Sequence, residues 1–589
     1  MYRVSTIAFF SVCAVVQCDS QAHSDDAFRN VAPKSTVIYA EIEPSDQWIN
    51  HPLRTKLVAS EAFQSIWKSP EIIKTRGGIT MAEFALGDKL ENIISNLASG
   101  GVSIAVDSET QGIVVVGTAV SEEWLQQYLE RVVELMRGEA TKNGDSDAIK
   151  KKDYRGAVAY ENNQTIFGSF GKYFIVTNKP ALAKVTVDRL VDKVKDGLVS
   201  SESFQKAIAE RNSTSSGQPF SSLGWIYIDV ATLRDAGIAK ELLGGVAKDF
   251  GAELLIGGLL STLHSTNYVT GDLMASDRQL ELALSSPHDT SSAEKSRAFH
   301  FEPSTDSPKV ELIDSANSLA SLSAYRDISQ MWLRAGDLFD QGVNDQLAQA
   351  DNTLTTLFSG RDFGQDILGA IYPRLQMISE ENVFVEGYPK PSIRLPSFAL
   401  IATLRDAETM QPQLKRIFQS LIGFLNIVGA MEGGPQLDQN TQTIGDVQTI
   451  SATYVPDVDR KKLVDAPIQF NFSPCLAFRG DTVILSSTTH LAESIMSRPK
   501  AQESSVERNI KAHHNTFLTI DGKAVKSILE SNRGQLVAQN MLEKGHSKKD
   551  AEQEIGILLS LISVIQSASL DLDFSEQADL KVTVEIVDE

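Results

Sequence analysis

The chain has 589 residues, 42% hydrophobic and 22% charged, and its 55 Lys and Arg against 76 Asp and Glu give a formal net charge of −21. A chain this long and apolar predicts about two to four domains that each bury a core, which excludes an intrinsically disordered protein. The acidic balance repels phosphate backbones and excludes nucleic acid as a partner.

The first segment differs from the rest. Met1-Tyr2-Arg3 is a short positive start, and an apolar run from Val4 to Val16 follows with Ile7, Phe9, Phe10 and Val12. That run is shorter than the roughly 20 apolar residues a bilayer span needs. Ser20 and Ala22 then place small residues where a signal peptidase requires them. Residues 1–22 therefore read as an export peptide cleaved after Ala22, and the mature chain is expected in the periplasm or outside the cell. Lipid attachment at Cys18 is the competing reading, although Val15-Val16-Gln17 lacks the small residue that should precede the Cys. Cleavage removes one Arg and one Asp, leaving the charge at −21, and removes Cys13 and Cys18. Cys475 then remains as a single thiol among apolar neighbours, expected to be buried and inert, with no intramolecular disulfide.

Downstream, residues 36–43 read as a strand, as do 113–119 ahead of a helix at about 122–137. That helix carries Trp124, Leu125, Tyr128, Leu129, Val132, Val133 and Met136 at three- and four-residue spacing. Residues 139–153 and 212–219 read as exposed loops; 171–177 and 225–229 read as strands that lead into helices. An apolar helix at 253–260 precedes two strands, 268–273 and 279–284, joined at Ser276-Asp277. After Ser-rich 286–308, bracketed by Pro303 and Pro308, the same order returns. Its members are 310–314, 398–404 ahead of a helix at 407–428, 480–486 ahead of another, 516–521, the helix 554–561, and strands 569–574 and 579–584 about Ser575-Glu576. Glu253 aligns with Glu554 at an offset of 301 residues. Residues 431–447 read as a Gly-, Pro- and Gln-rich loop, and the apolar run 421–428 as a buried helix too short to span a membrane.

Recurrence in register predicts an internal duplication. Neighbouring strand pairs predict an α+β fold: two diverged copies of one unit, each a mainly antiparallel sheet covered by helices. The expected boundaries are 23–285 and 309–589, with 286–308 as a linker. The export peptide, the early strand followed by helices and the paired terminal strands resemble large secreted bacterial proteins of an uncharacterised, planctomycete-like family described only as a domain of unknown function. The resemblance spans most of the mature chain. It implies no established activity and transfers no site residue.

Local motifs for chemistry are missing. The nine histidines include no H-E-x-x-H pair, and His513-His514 reads as a surface pair. Asn143, Asp145 and Asp147 have calcium-loop spacing, but Lys150-Lys151-Lys152 follow where a bidentate Glu belongs, so they read as a flexible turn. Those lysines and Arg460-Lys461-Lys462 read as solvated loop charges. Gly168-Ser169-Phe170-Gly171 has the wrong spacing for a nucleophile elbow. Ser65 with Lys68 and Ser497 with Lys500 fit S-x-x-K without the accompanying motifs. Asp571 and Asp573 alternate with Leu on one strand, which is ordinary patterning for a wet sheet face. No catalytic, cofactor-binding or metal residue is therefore predicted, and no cofactor.

The expected function is non-enzymatic: ligand or partner binding between the two halves, or a structural role in the cell envelope. The partner is an unknown envelope or extracellular one, and the mature chain has no integral membrane segment. The alternative is an extracytoplasmic hydrolase whose site no local motif reveals. Mass spectrometry of the processed protein should find His23 as its first residue; a lipidated Cys18 there would refute the cleavage assignment.

Overall fold

The computed structural model describes residues 26–587 except 69, 143–148, 163–164, 194–195, 215–219, 244–246, 248, 289–294, 302–312, 314, 316–317, 359, 385–387, 445, 457–463, 499–514 and 575–576. The export segment, His23, the Asn143-Asp145-Asp147 turn, Arg460 to Lys462, Lys500, His513 and His514 lie outside the described residues. The chain forms two compact units, one built from residues up to Lys240 plus Thr266–Pro287, the other from Glu241–Ser265 plus His288–Val587. Both are α+β.

Among the described residues the first unit has ten strands: β1 (Thr36–Ile42), β2 (Val102–Asp107), β3 (Gly112–Thr118), β4 (Ile149–Tyr154), β5 (Ala157–Asn162), β6 (Thr165–Phe170), β7 (Tyr173–Thr177), β8 (Ser221–Asp229), β9 (Tyr268–Ala275) and β10 (Gln279–Pro287). Every pairing is antiparallel, and the spatial order is β10-β9-β8-β1-β2-β3-β7-β6-β5-β4. Helices that cover the sheet include α1 (Asp26–Val31), α2 (Glu122–Lys142), α3 (Pro180–Asp192) and α4 (Glu202–Thr214). Pleat alternation sends Tyr39, Val114, Val116, Trp225 and Tyr227 to one face, against Phe28 of α1, Leu182 of α3 and Phe204 of α4. Phe167, Phe174 and Tyr160 go to the other, under Leu125, Leu129 and Val133 of α2.

Among the described residues the main sheet of the second unit also has ten: β11 (Ala320–Tyr325), β12 (Arg374–Glu380), β13 (Ser397–Thr403), β14 (Leu437–Ile444), β15 (Val447–Tyr454), β16 (Cys475–Arg479), β17 (Thr482–Ser486), β18 (Thr516–Asp521), β19 (Ile565–Asp573) and β20 (Gln577–Ile586), beside a short parallel pair, Lys390–Pro391 with Val464–Ala466. Their order, β20-β19-β18-β11-β12-β13-β17-β16-β15-β14, is that of the first unit with each number raised by ten. Its helices include α5 (Phe250–Ser265), α6 (Ala407–Met431), α7 (Thr489–Ser497), α8 (Gly522–Ser531) and α9 (Lys548–Val564).

Registers correspond as well. Ser121 caps α2 and Asp406 caps α6, each accepting from the backbone N–H three residues on. Counting back from these caps equates Val115 with Leu400. From there the cross-strand rows run Ile104–Val115–Val176–Phe167 and Met377–Leu400–Leu485–Leu476. A separate pair of caps, Asp229 and Asp521, equates Ile226 with Leu518. Their rows reach Ile104 and Met377 through Ala40 and Leu322, so the two anchors agree.

Several expectations need correction. The counterpart of β1 is β11, not 310–314; of that segment only Ile313 is described, and its backbone pairs with the Gln376 side chain. Ser321 and Ser323 take the inward positions of β11, which hid the strand from a hydrophobicity criterion. Lys150 to Lys152 stand on β4, and most of 431–447 forms the hairpin of β14 and β15. β4 and β14 end their strand orders, where charged and polar side chains guard the unpaired backbone. α4 continues to Thr214. Within 286–308, Ser286 and Pro287 complete β10, and Lys295–His300 is a 3₁₀ helix with Arg297 and His300 buried. Among the described residues no helix is long and apolar enough to cross a membrane.

The start of α8 is tightly constrained. Asp521 accepts from Ala524 N–H at 2.7 Å, and a Cβ on Gly522 would stand 2.0 Å from the Ile565 carbonyl oxygen. Asp521→Ala should cost about 1 kcal/mol through the lost cap. Gly522→Ala should cost roughly 1–3 kcal/mol, because backbone and not a movable side chain blocks it. Denaturant unfolding of both variants measures this.

Candidate functional site

In the first unit three strands bring polar groups into one row. Glu41 of β1 pairs with Trp225 of β8, which pairs with Asp272 of β9. Glu43 follows Glu41 by two residues and shares its direction. Arg29 of α1 grips Glu41 with two hydrogen bonds, 2.6 and 2.7 Å, and the Tyr39 hydroxyl donates to the same carboxylate at 2.9 Å. Arg211 of α4 donates to Asp272 at 3.1 Å and lies 3.7 Å from Glu41 and 3.9 Å from Glu43. Its guanidinium also stands 5.2 Å from the Trp225 ring centre. Burial pushes the Glu43 and Asp272 carboxyls up, and Arg211 offsets this only in part. Burial, then the Glu41 charge, raises Tyr39 well above the usual phenol range.

An open depression of about 330 Å³ lies elsewhere in this unit, lined by Asp46, Asn50, His51, Ser221, Ser276 and Asp277 among others. His51 Nδ1 accepts from Leu53 N–H at 3.2 Å, so a neutral ring carries its proton on Nε2.

The equivalent row of the second unit differs in composition. Ser323, Phe517 and Asp571 occupy the row of Glu41, Trp225 and Asp272. Its charges gather instead around α5, where Glu253 and Arg297, 0% and 2% exposed, form a bidentate pair at 2.7 Å. His300 Nε2 lies 3.5 Å from Glu253. Gly257 makes room for this: a Cβ there would fall 2.2 Å from Glu253 Oε1 and 2.5 Å from His300 Nε2. Arg326 ties the centre to the sheet, donating to the carbonyls of Leu254 and Leu255, to Asn515 Oδ1 and to Thr516 Oγ1. Burial lowers His300 to about 4, against the pull of Glu253, so the ring is neutral at pH 7. Burial would raise Glu253, but the contacts from His300 and Arg297 outweigh it and hold the carboxyl below its ordinary value. This centre is sealed from solvent and has a structural character.

The residues singled out in the sequence do not converge. Cys475 is buried in β16, its thiol pushed up to about 12 by burial and then by Glu493. Ser169 is buried in β6, and Ser65 and Lys68 are exposed at a helix end. Ser497 donates to the Ser494 carbonyl. Asp571 and Asp573 sit on β19 opposite Lys581 and Asp579. Among the described residues no group of three His, Cys, Asp or Glu is placed to hold a metal ion.

One surface was misread from sequence. The apolar stripe of α6 begins buried at Met410, Phe418 and Ile422. On the other side of the same helix, roughly 140–200° round from Ile422 at about 100° per residue, Phe424, Ile427 and Met431 are 59%, 64% and 83% exposed. The sheet face beneath is also exposed in part: Leu476 is buried under α6, but its neighbours Leu485 and then Leu400 are exposed, as is Phe398. At the positions equivalent to Phe424 and Ile427, the first unit carries exposed Glu139 and Lys142 on α2. The run 421–428 was expected to be buried because its composition is apolar; the missed signal was its period, which puts Phe424 and Ile427 on the side of α6 away from Phe418 and Ile422.

No family model and no curated protein matches the chain. Among solved structures it is similar to TP0453 in crystal forms I, III and IV, at 12%, 11% and 11% identity. The matches cover 44%, 44% and 47% of this chain and 78%, 80% and 83% of that one, with a TM-score of 0.23 each.

The two polar centres predict opposite pH responses. His300 has a folded value of about 4, against about 6.5 unfolded. Stability is therefore full above the unfolded value and falls as pH drops from about 6.5 to about 4, by up to roughly 3 kcal/mol. Glu253, lowered in the fold, adds to the loss at acid pH. Glu43 and Asp272, raised in the fold, act the other way: their contribution is full below their unfolded values and is lost as pH rises through the folded ones. Denaturant titrations from neutral to acid pH should show a shallower acid loss for His300→Gln and a gain at neutral pH for Asp272→Asn.

Proposed function

We propose that the protein is an exported, non-enzymatic binding or cell-envelope structural protein, made of two diverged copies of one α+β unit. Its binding face is the exposed apolar surface of α6, β13 and β17. One observation carries this reading: Phe424 and Ile427 stand in solvent where the equivalent helix of the first unit has Glu139 and Lys142. A helix that needs only to be covered on one side has no use for apolar groups on the other. Contiguous exposed apolar surface marks interaction sites in soluble proteins. Shared strand order and matching rows support the duplication, and residues 1–22 and the single mature thiol, Cys475, support export. The partner belongs to the envelope or the extracellular space.

A second reading, hydrolysis of envelope or extracellular polymers, is favoured by the raised Glu43 and Asp272 carboxyls. Against it, Arg211 bonds Asp272 and lies close to Glu43, and guanidinium contact opposes the protonated state a general acid needs. The purified protein should show no turnover on a panel of esters, peptides and glycosides. Turnover that Asp272→Asn or Glu43→Gln abolishes would replace the binding reading with the hydrolase.

A further inference from the structure

We infer that the occupant of the α6 face is a second copy of this chain, docked through the same face about a two-fold axis. The inference rests on the binding reading above and names its partner.

Charge is the first argument. Two chains of net charge −21 repel each other, so contact between copies is least opposed where neither presents charge. Between Arg416 and Glu432, α6 carries no charged residue at all, and Phe398, Leu400 and Leu485 beside it are apolar too. Such a surface is complementary to itself, as a two-fold interface demands. It offers nothing to a charged partner. It also lacks the Lys and Arg with which interfacial helices hold an anionic lipid surface, which the net charge would repel in any case.

Area is the second. The exposed fractions of Leu421, Phe424, Leu425, Ile427 and Met431, with those of the three sheet residues, correspond to roughly 800 Å² of apolar surface at ~200 Å² per full side chain. That is about what each partner buries in a standard specific interface. The helix is also approachable: a Cβ added at Gly423 would meet nothing within 4 Å, so a partner helix can lie close to this turn. Phe424, at the middle of the stripe, is the residue expected nearest the axis.

Light scattering on the purified, processed protein should give twice the single-chain mass. The double variant F424E/I427K, which installs the charges of the first unit, should give the single-chain mass with unchanged circular dichroism and thermal midpoint. Raising salt from about 0.01 to about 1 M should strengthen the wild-type dimer, because screening weakens the repulsion while the contact itself has no charge to lose. A monomeric wild type, a dimer that survives F424E/I427K, or binding to anionic phosphatidylglycerol vesicles in place of self-association overturns the inference. Nile red at high dilution separates the two claims. If the dye lights up on wild type but not on the double variant, the face binds apolar groups whatever its partner; if it reports neither, the binding reading fails as well.

Discussion

A ten-stranded antiparallel sheet covered on both faces commits every side chain on ten strands to one of two sides. A slip of one residue in any pairing would turn a whole strand inside out. Register is therefore the constraint from which the rest of each unit follows. It makes Ile104, Val115, Val176 and Phe167 one row under α2, and Met377, Leu400, Leu485 and Leu476 one row beside α6. Caps hold that register at the strand ends: Ser121, Asp229, Asp406 and Asp521 each start a helix at a fixed distance from a strand.

Within one frame the two units solve the burial of charge differently. The first collects Glu41, Glu43 and Asp272 on the sheet and brings Arg29 and Arg211 to them from helices. The second leaves Ser323 at the position of Glu41 and moves its ion pair to α5, where Glu253 and Arg297 need Gly257 to fit beside His300. Neither arrangement follows from the other by simple substitution. Removing Glu253 or Arg297 alone would strand a buried charge, which costs far more than the pair contributes.

Divergence at the surface has a different consequence. Replacing Glu139 and Lys142 by their equivalents Phe424 and Ile427 changes nothing that the sheet beneath requires, since these positions face away from it. What changes is the company the helix can keep. An apolar exposed stripe raises the free energy of the isolated unit in water and lowers that of an assembly that covers it. The same row that makes the core of the second unit, Ile450 to Leu476, carries on outward to Leu485 and Leu400, which are exposed.

Sequence by itself determined the α+β class, the recurrence of elements and most strand positions. These depend on period and order, which survive in a one-dimensional string: 113–119 and 398–404, 171–177 and 480–486, and 225–229 and 516–521 are all strands, at corresponding places in the strand orders of the two units. It failed where a strand's character comes from its place and not its composition. β4 and β14 are polar because they end the sheet order, and β11 is Ser-rich because polar residues fill its inward positions. The candidate sites were less legible still. Glu41, Arg211 and Asp272 are far apart in the chain, and only strand pairing puts two of them in a row beneath the third. Exposure of Phe424 was hidden for a related reason: α6 is apolar on more than one side, and only the tertiary structure decides which side the sheet covers.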